Sequence, residues 1–124
     1  MSTYEEAYKS FTEEMNALGL QHQEELYHAV LKHLGPSVHQ KDASLVACSD
    51  KKELETIKKN FLIGKLGLED TPRLDEAIQE VCGAMGESNR HKHRATFYYL
   101  LVGILKKESV FIKKHKFKYE DQIH

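Results

Sequence analysis

Residues Ala95 to Leu105 run ATFYYLLVGIL. Nine of the eleven are apolar or aromatic, and only Thr96 and Gly103 interrupt them. A helix with no polar face needs neighbours on every side. The run falls short of the roughly 20 apolar residues that cross a bilayer. It therefore predicts the buried central helix of a small bundle, and the rest of the chain must supply the helices around it.

On its N-terminal side this helix is expected to begin at Ser88 and run to about Lys107, with a polar start of Asn89, Arg90, His91, Lys92, His93 and Arg94. Positive charge there opposes the helix dipole, so acids from another helix, the first or the fourth, must offset it. Upstream, Thr71 followed by Pro72, Asp75 and Glu76 reads as a helix entry. Leu74, Ala77, Ile78, Val81, Cys82 and Met85 make its apolar stripe, and Gly86 closes it. A third helix opens at Asp50, with Glu53 at the capping-box spacing. Leu54, Ile57, Phe61 and Leu62 face inward, and Gly67 is the left-handed stop.

Further out, Ser2 or Thr3 caps a first helix striped by Tyr4, Ala7, Tyr8, Phe11, Met15 and Leu18 and ended by Gly19. A second runs from about Gln23 to Leu34, striped by Leu26, Ala29, Val30 and Leu34, and ends at Gly35-Pro36. Ser37 to Ser49 has no period and predicts a loop or a short helical turn capped by Asp42. After Lys107 the pattern degrades; Val110, Phe111 and Ile112 are expected to dock. The sum is an all-α fold: a compact irregular bundle of about five helices with a helix of the C-terminal half buried. Residues 1–112 form one helical domain. Residues 113–124 are a basic, aromatic C-terminal tail, read as a frayed end or a weak strand.

Bulk properties agree. The chain has 124 residues, 40% hydrophobic and 30% charged, with two prolines and no Trp. That is one ordinary domain, and the composition excludes wholesale disorder and long linkers. The N-terminal MSTYEEAYKSF has no basic region followed by an apolar stretch, so no signal peptide is expected. With Cys48 and Cys82 as the only cysteines, the expectation is a cytoplasmic protein carrying two free thiols. Net charge is −1, but it is unevenly spread. Residues 1–31 hold six acids and one base, hence −5, while residues 88–119 hold nine bases and one acid, hence +8. Either the two ends attract each other or the basic end faces an anionic partner.

Each chemical signal has a plainer alternative beside it. His28 and His33 are five apart, and His91 and His93 two apart; neither spacing converges on a metal as i,i+4 pairs do. No metal and no cofactor is expected. Cys48 precedes a helix start, which lowers a thiol pKa, yet a buried, inert cysteine is the commoner case. No phosphate loop, nucleophile elbow or HExxH is present, and Lys58, Lys59 and Lys65 suit a solvated helix face. The NRHKHR run before Tyr98 and Tyr99 mixes basic and aromatic residues as nucleic-acid binders do. The favoured alternative has the bases coating a surface while the tyrosines anchor the core through a buried hydroxyl bond. Arg90, Lys92, Arg94, Lys113, Lys114 and Lys116 are the candidates for anion or partner binding.

Four segments in order carry a family resemblance: Gly35-Pro36, KDASLVACSDKKELETIKKNFLIGKLGL (Lys41 to Leu68), LDEAI (Leu74 to Ile78) and SNRHKHRATFYYLL (Ser88 to Leu101). Through them the chain resembles a family of small, mostly bacterial proteins catalogued as domain of unknown function 2853. The first helix and the tail beyond Ile112 look less like it. The resemblance implies an all-helical fold and brings no activity, substrate or catalytic residue. The expected function is therefore that of a small non-catalytic protein acting through a protein partner, with no membrane role. Nucleic-acid binding through residues 90–94 and the C-terminal lysines is the alternative, and a thiol enzyme using Cys48 a third.

Overall fold

A computed structural model describes residues 4–20, 23–34, 45–86 and 92–111. Among them the fold is all-α. Helix α1 spans Tyr4–Ala17, α2 Glu24–Leu34, α3 Lys51–Thr56, α4 Pro72–Met85 and α5 Arg94–Ile104. Helix α3 continues directly into a π-helix, Ile57–Lys65. A single 3-10 turn, Glu108–Val110, follows α5.

Helix α5 is the centre. Every residue from Ala95 to Val102 is buried. It packs against α1, α2 and α4, and Phe61 of the π-helix meets Tyr98 at 4.2 Å between ring centres. At the other end Phe11 stacks on Tyr27 at 4.0 Å and meets Tyr99 edge-on at 4.8 Å. Offset-stacked and edge-to-face geometries suit the ring quadrupoles and add to the area buried.

The helix ends follow their residues. Asp50 caps α3: its Oδ1 accepts from the amides of Lys52 at 3.0 Å and Glu53 at 3.4 Å. Gly19, Gly67 and Gly86 all take positive φ at helix stops, and the Leu20 amide reaches back to the Met15 carbonyl at 3.0 Å to close α1. Pro72 is the first residue of α4, but Thr71 before it makes no side-chain cap, a correction to the expected N-cap bond. The whole expected stripe of α4 is buried.

Other expectations are corrected. The polar start assigned to the fifth helix is not helical where described: Lys92 and His93 precede it, His93 in an extended conformation. The reason is pairing, because His93 forms an antiparallel bridge with Leu45 and the Val46 amide bonds the Lys92 carbonyl at 2.8 Å. Helix α2 is rotated from its expected stripe, burying Tyr27 and Leu31 beside Leu26 and Val30, and leaving Ala29 half-buried. The two cysteines are not free. Cys48 and Cys82 form a disulfide with Cα atoms 6.1 Å apart, within the range a disulfide spans. The α4 stripe turns Cys82 inward, and the segment before α3 lays Cys48 over it. The Ser2 and Thr3 caps, Gly35-Pro36, Asp42 and residues 112–124 lie outside the described residues.

Candidate functional site

Two places gather polar groups or open surface. The first is the entry to α5. Residues 45–50 form a strap that leads into α3 and lies along residues 92–94. Glu53, on the first turn of α3, accepts from the Ala47 amide through Oε1 at 2.8 Å and from Arg94 Nη2 through Oε2 at 2.5 Å. The same Arg94 nitrogen donates to the Leu45 carbonyl at 3.0 Å, and the guanidinium lies 6.0 Å from the centre of the Tyr98 ring. Burial works against the Arg94 charge, but its bonds to Glu53 and Tyr98 outweigh that and raise its pKa. From α1, Glu14 reaches across: Oε2 lies 3.0 Å from His93 Nδ1, and Oε1 accepts from the Thr96 hydroxyl at 2.6 Å. The Glu14 bond raises the His93 pKa against the opposing effect of burial. The charge at the start of α5 is thus offset by acids of α1 and α3.

The candidate cations divide accordingly. Lys92 is only 3% exposed, and Arg94 is held by Glu53 and Leu45. Arg90, Lys113, Lys114 and Lys116 lie outside the described residues. Among the described residues no three His, Cys, Asp or Glu side chains converge as metal ligands. Among the described residues, too, no helix is long and apolar enough to cross a membrane. Lys58 faces Asp75, Asp70 and Glu55 at 3.2, 3.7 and 3.7 Å. Its bond to Asp75 raises its pKa, which makes it a fixed cation and no base at neutral pH.

The second place is a groove of about 380 Å³ between the end of α1, the start of α2 and the end of α5. Met15, Leu20, Leu26, Leu100, Gly103 and Ile104 line it, with Gln23, Tyr99 and Glu108 as its polar edge. Leu20, 44% exposed, is the large hydrophobic residue left uncovered among the described residues. The Tyr99 hydroxyl accepts from the Gln23 amide at 2.8 Å, so it does anchor the core as its residue type suggests. Burial raises the Tyr99 pKa, and the Glu108 carboxylate adds to the shift. At this edge the groove is acidic.

Neither place was legible beforehand. Glu14 and His93 are 79 positions apart, Glu53 and Arg94 41. The one local signal was the Asp50–Glu53 capping spacing, and there Glu53 turns from Asp50 to Ala47 and Arg94.

Residues 10–109 match a family described as "Protein of unknown function (DUF2853)". The chain belongs to this family. The match takes in the second half of α1, which had looked less like the DUF2853 pattern, and stops short of the tail. No curated protein matches the chain. DUF2853 membership carries no reaction or ligand with it.

Proposed function

We propose that the chain is a non-catalytic helical module that docks a partner protein, and that the groove between α1, α2 and α5 is where it does so. The carrying observation is the groove itself, with Leu20 exposed on its lip. A single exposed leucine means little on its own. Beside an open apolar groove of about 380 Å³ it fits the helix-in-groove mode, in which two or three apolar anchors of a partner helix are buried. Glu108 lies on the rim, and Glu24 and Glu25 follow directly on Gln23 and are exposed. The occupant that complements them is a short amphipathic helix with basic residues beside its apolar face.

Gly103 gives the test. It lines the groove, is exposed, and a Cβ placed there meets nothing within 4 Å. Gly103→Leu therefore fills the groove without straining the fold, and replacing glycine in a helix raises helix propensity. Wild type and Gly103→Leu are immobilised and exposed to a native lysate, with thermal melts to show both are folded. A protein held by wild type, released by moderate salt and lost on Gly103→Leu supports docking at this groove. A protein held equally by both refutes the groove, and no retained protein refutes the module.

Nucleic-acid binding through residues 90–94 gains no support from Lys92 and Arg94, the first buried and the second paired. No mobility shift with a mixed-sequence duplex at low salt removes it, since phosphate contacts are strongest there.

A further inference from the structure

Cys48 and Cys82 belong to different parts of the fold. Cys82 sits in the buried face of α4 and is 4% exposed. Cys48, in the strap before α3, is partly buried and less so than Cys82. The bond between them closes 34 positions of sequence and is the covalent tie between strap and α4. What else holds the strap is mainly polar: the Val46 amide on the Lys92 carbonyl at 2.8 Å, the Leu45–His93 bridge, and the Glu53 and Arg94 bonds to Ala47 and Leu45. Val46, 3% exposed, is its one fully buried side chain. A segment with so few buried apolar contacts belongs to the least stable part of a fold. Helices α4 and α5, by contrast, are packed through the core.

We propose that the Cys48–Cys82 disulfide is a thiol–disulfide exchange site, opened by a dithiol reductant at Cys48, the less buried of the two cysteines, and that opening it frees the strap of residues 45–50 from the start of α5 while the helical core stays folded. The exchange balances. A thiolate of the reductant attacks Cys48 Sγ, the bond to Cys82 breaks, and Cys82 leaves as a thiolate that takes up a proton. The second thiol of the reductant then attacks the mixed disulfide and releases Cys48 as a thiol. The reductant is oxidised to its disulfide by two electrons, and the cysteine pair is reduced by the same two. Attack is directed to Cys48 because access selects the sulfur, and Cys82 is the more buried of the two at 4% exposed. The site is separate from the groove, and its test is independent of any docking partner.

The full-length oxidised chain is incubated with dithiothreitol under native conditions, quenched with a maleimide and weighed by mass spectrometry. Amide hydrogen exchange is followed in parallel. Two labelled thiols are expected, with helical circular dichroism unchanged. The Val46 amide should exchange about tenfold faster or more, and the amides of Phe97 to Leu101 within about twofold of the oxidised rate. Cys82→Ser, which cannot form the bond, should give the same exchange pattern without reductant. Should that variant fail to fold, the reduced wild type still decides. A pair that stays unlabelled until denaturant is added would make the bond a sealed staple and overturn the proposal. So would labelling with uniform loss of protection, or labelling with an unchanged Val46 rate.

Discussion

Replacing Glu53 with alanine should be among the most costly changes on this protein that remove no core side chain. The carboxylate holds two things at once, the Ala47 amide through one oxygen and Arg94 through the other. Both bonds end on a charged carboxylate, and a hydrogen bond to a charged group contributes roughly 1.5–3 kcal/mol net. The Arg94 and Glu53 side chains are 19% and 22% exposed. Water can therefore recover part of the loss, and the cost stays at the low end of the roughly 3–5 kcal/mol of breaking a fully buried pair on one side. About 3 kcal/mol is expected. Unfolding entropy of roughly 2.1 cal/mol/K per residue gives roughly 0.26 kcal/mol per degree for 124 residues, so the melting temperature should fall by about 11 °C.

Glu53→Gln separates the two bonds. Its amide oxygen can still accept from Ala47, but its NH2 group then faces the Arg94 guanidinium, so both the charge and the hydrogen bond to Arg94 are lost and at least half the effect is expected. A double-mutant cycle with Arg94→Met, read by thermal denaturation, should return a coupling of about 1.5–3 kcal/mol between Glu53 and Arg94. A Glu53→Ala melt within about 2 °C of wild type, or a coupling near zero, would mean that the strap is not held by this carboxylate and that the corner is wrongly understood.

Asp50 caps α3 through Lys52 and Glu53, so Asp50→Ala should cost about 0.5–2 kcal/mol and Asp50→Asn much less; equal melts for all three proteins would place the helix start elsewhere. His93 has a raised pKa through Glu14. The charged form is the one favoured by folding, so its contribution is full below the ordinary value of 6.5 and is lost as pH rises through the folded-state value. The melting temperature of wild type minus that of His93→Gln should fall across that window. His33, whose pKa is lowered by burial and by Lys65, works in the opposite direction, and the subtraction removes it. A flat difference would rule out the Glu14–His93 pair as a source of stability.

Much of the fold was legible because helical burial is periodic and local. The α4 stripe reads completely, since Leu74, Ala77, Ile78, Val81, Cys82 and Met85 recur at three and four and nothing else in the segment competes. Helix α5 was legible for the opposite reason, having no polar face from Ala95 to Val102 beyond Thr96. In α2 two overlapping stripes were available, and the tertiary neighbours chose the one through Tyr27, which stacks on Phe11. The π-helix left no mark on the expected inward set of Ile57, Phe61 and Leu62. It alters which carbonyl each amide meets, as where the Leu66 amide reaches Phe61, five residues back, and side-chain spacing cannot report that. The disulfide was hidden because its partners lie 34 positions apart and only the strap's path brings them together.

The charge asymmetry shows why the functional surface was harder to place than the core. The acidic residues 1–31 and the basic residues 88–119 suggested either mutual attraction or an anionic partner, and charge counts cannot choose. At the entry to α5 one contact joins the two regions, Glu14 with His93, while Arg94 is taken by Glu53, which lies outside the acidic region. These contacts also answer the dipole, since two carboxylates stand where a helix start would otherwise carry uncompensated positive charge. A phosphate arriving at Arg94 would have to displace Glu53, and with it the carboxylate that holds the Ala47 amide. Binding of an anion there would thus be linked to release of the strap, and its affinity reduced by whatever that release costs. The groove at the other end carries no such penalty. Leu20 is already exposed, Gly103 leaves open space, and Glu108 stands at the edge. A basic amphipathic helix could enter there without breaking any hydrogen bond described at that end, because the Tyr99–Gln23 bond ties the groove's wall to itself.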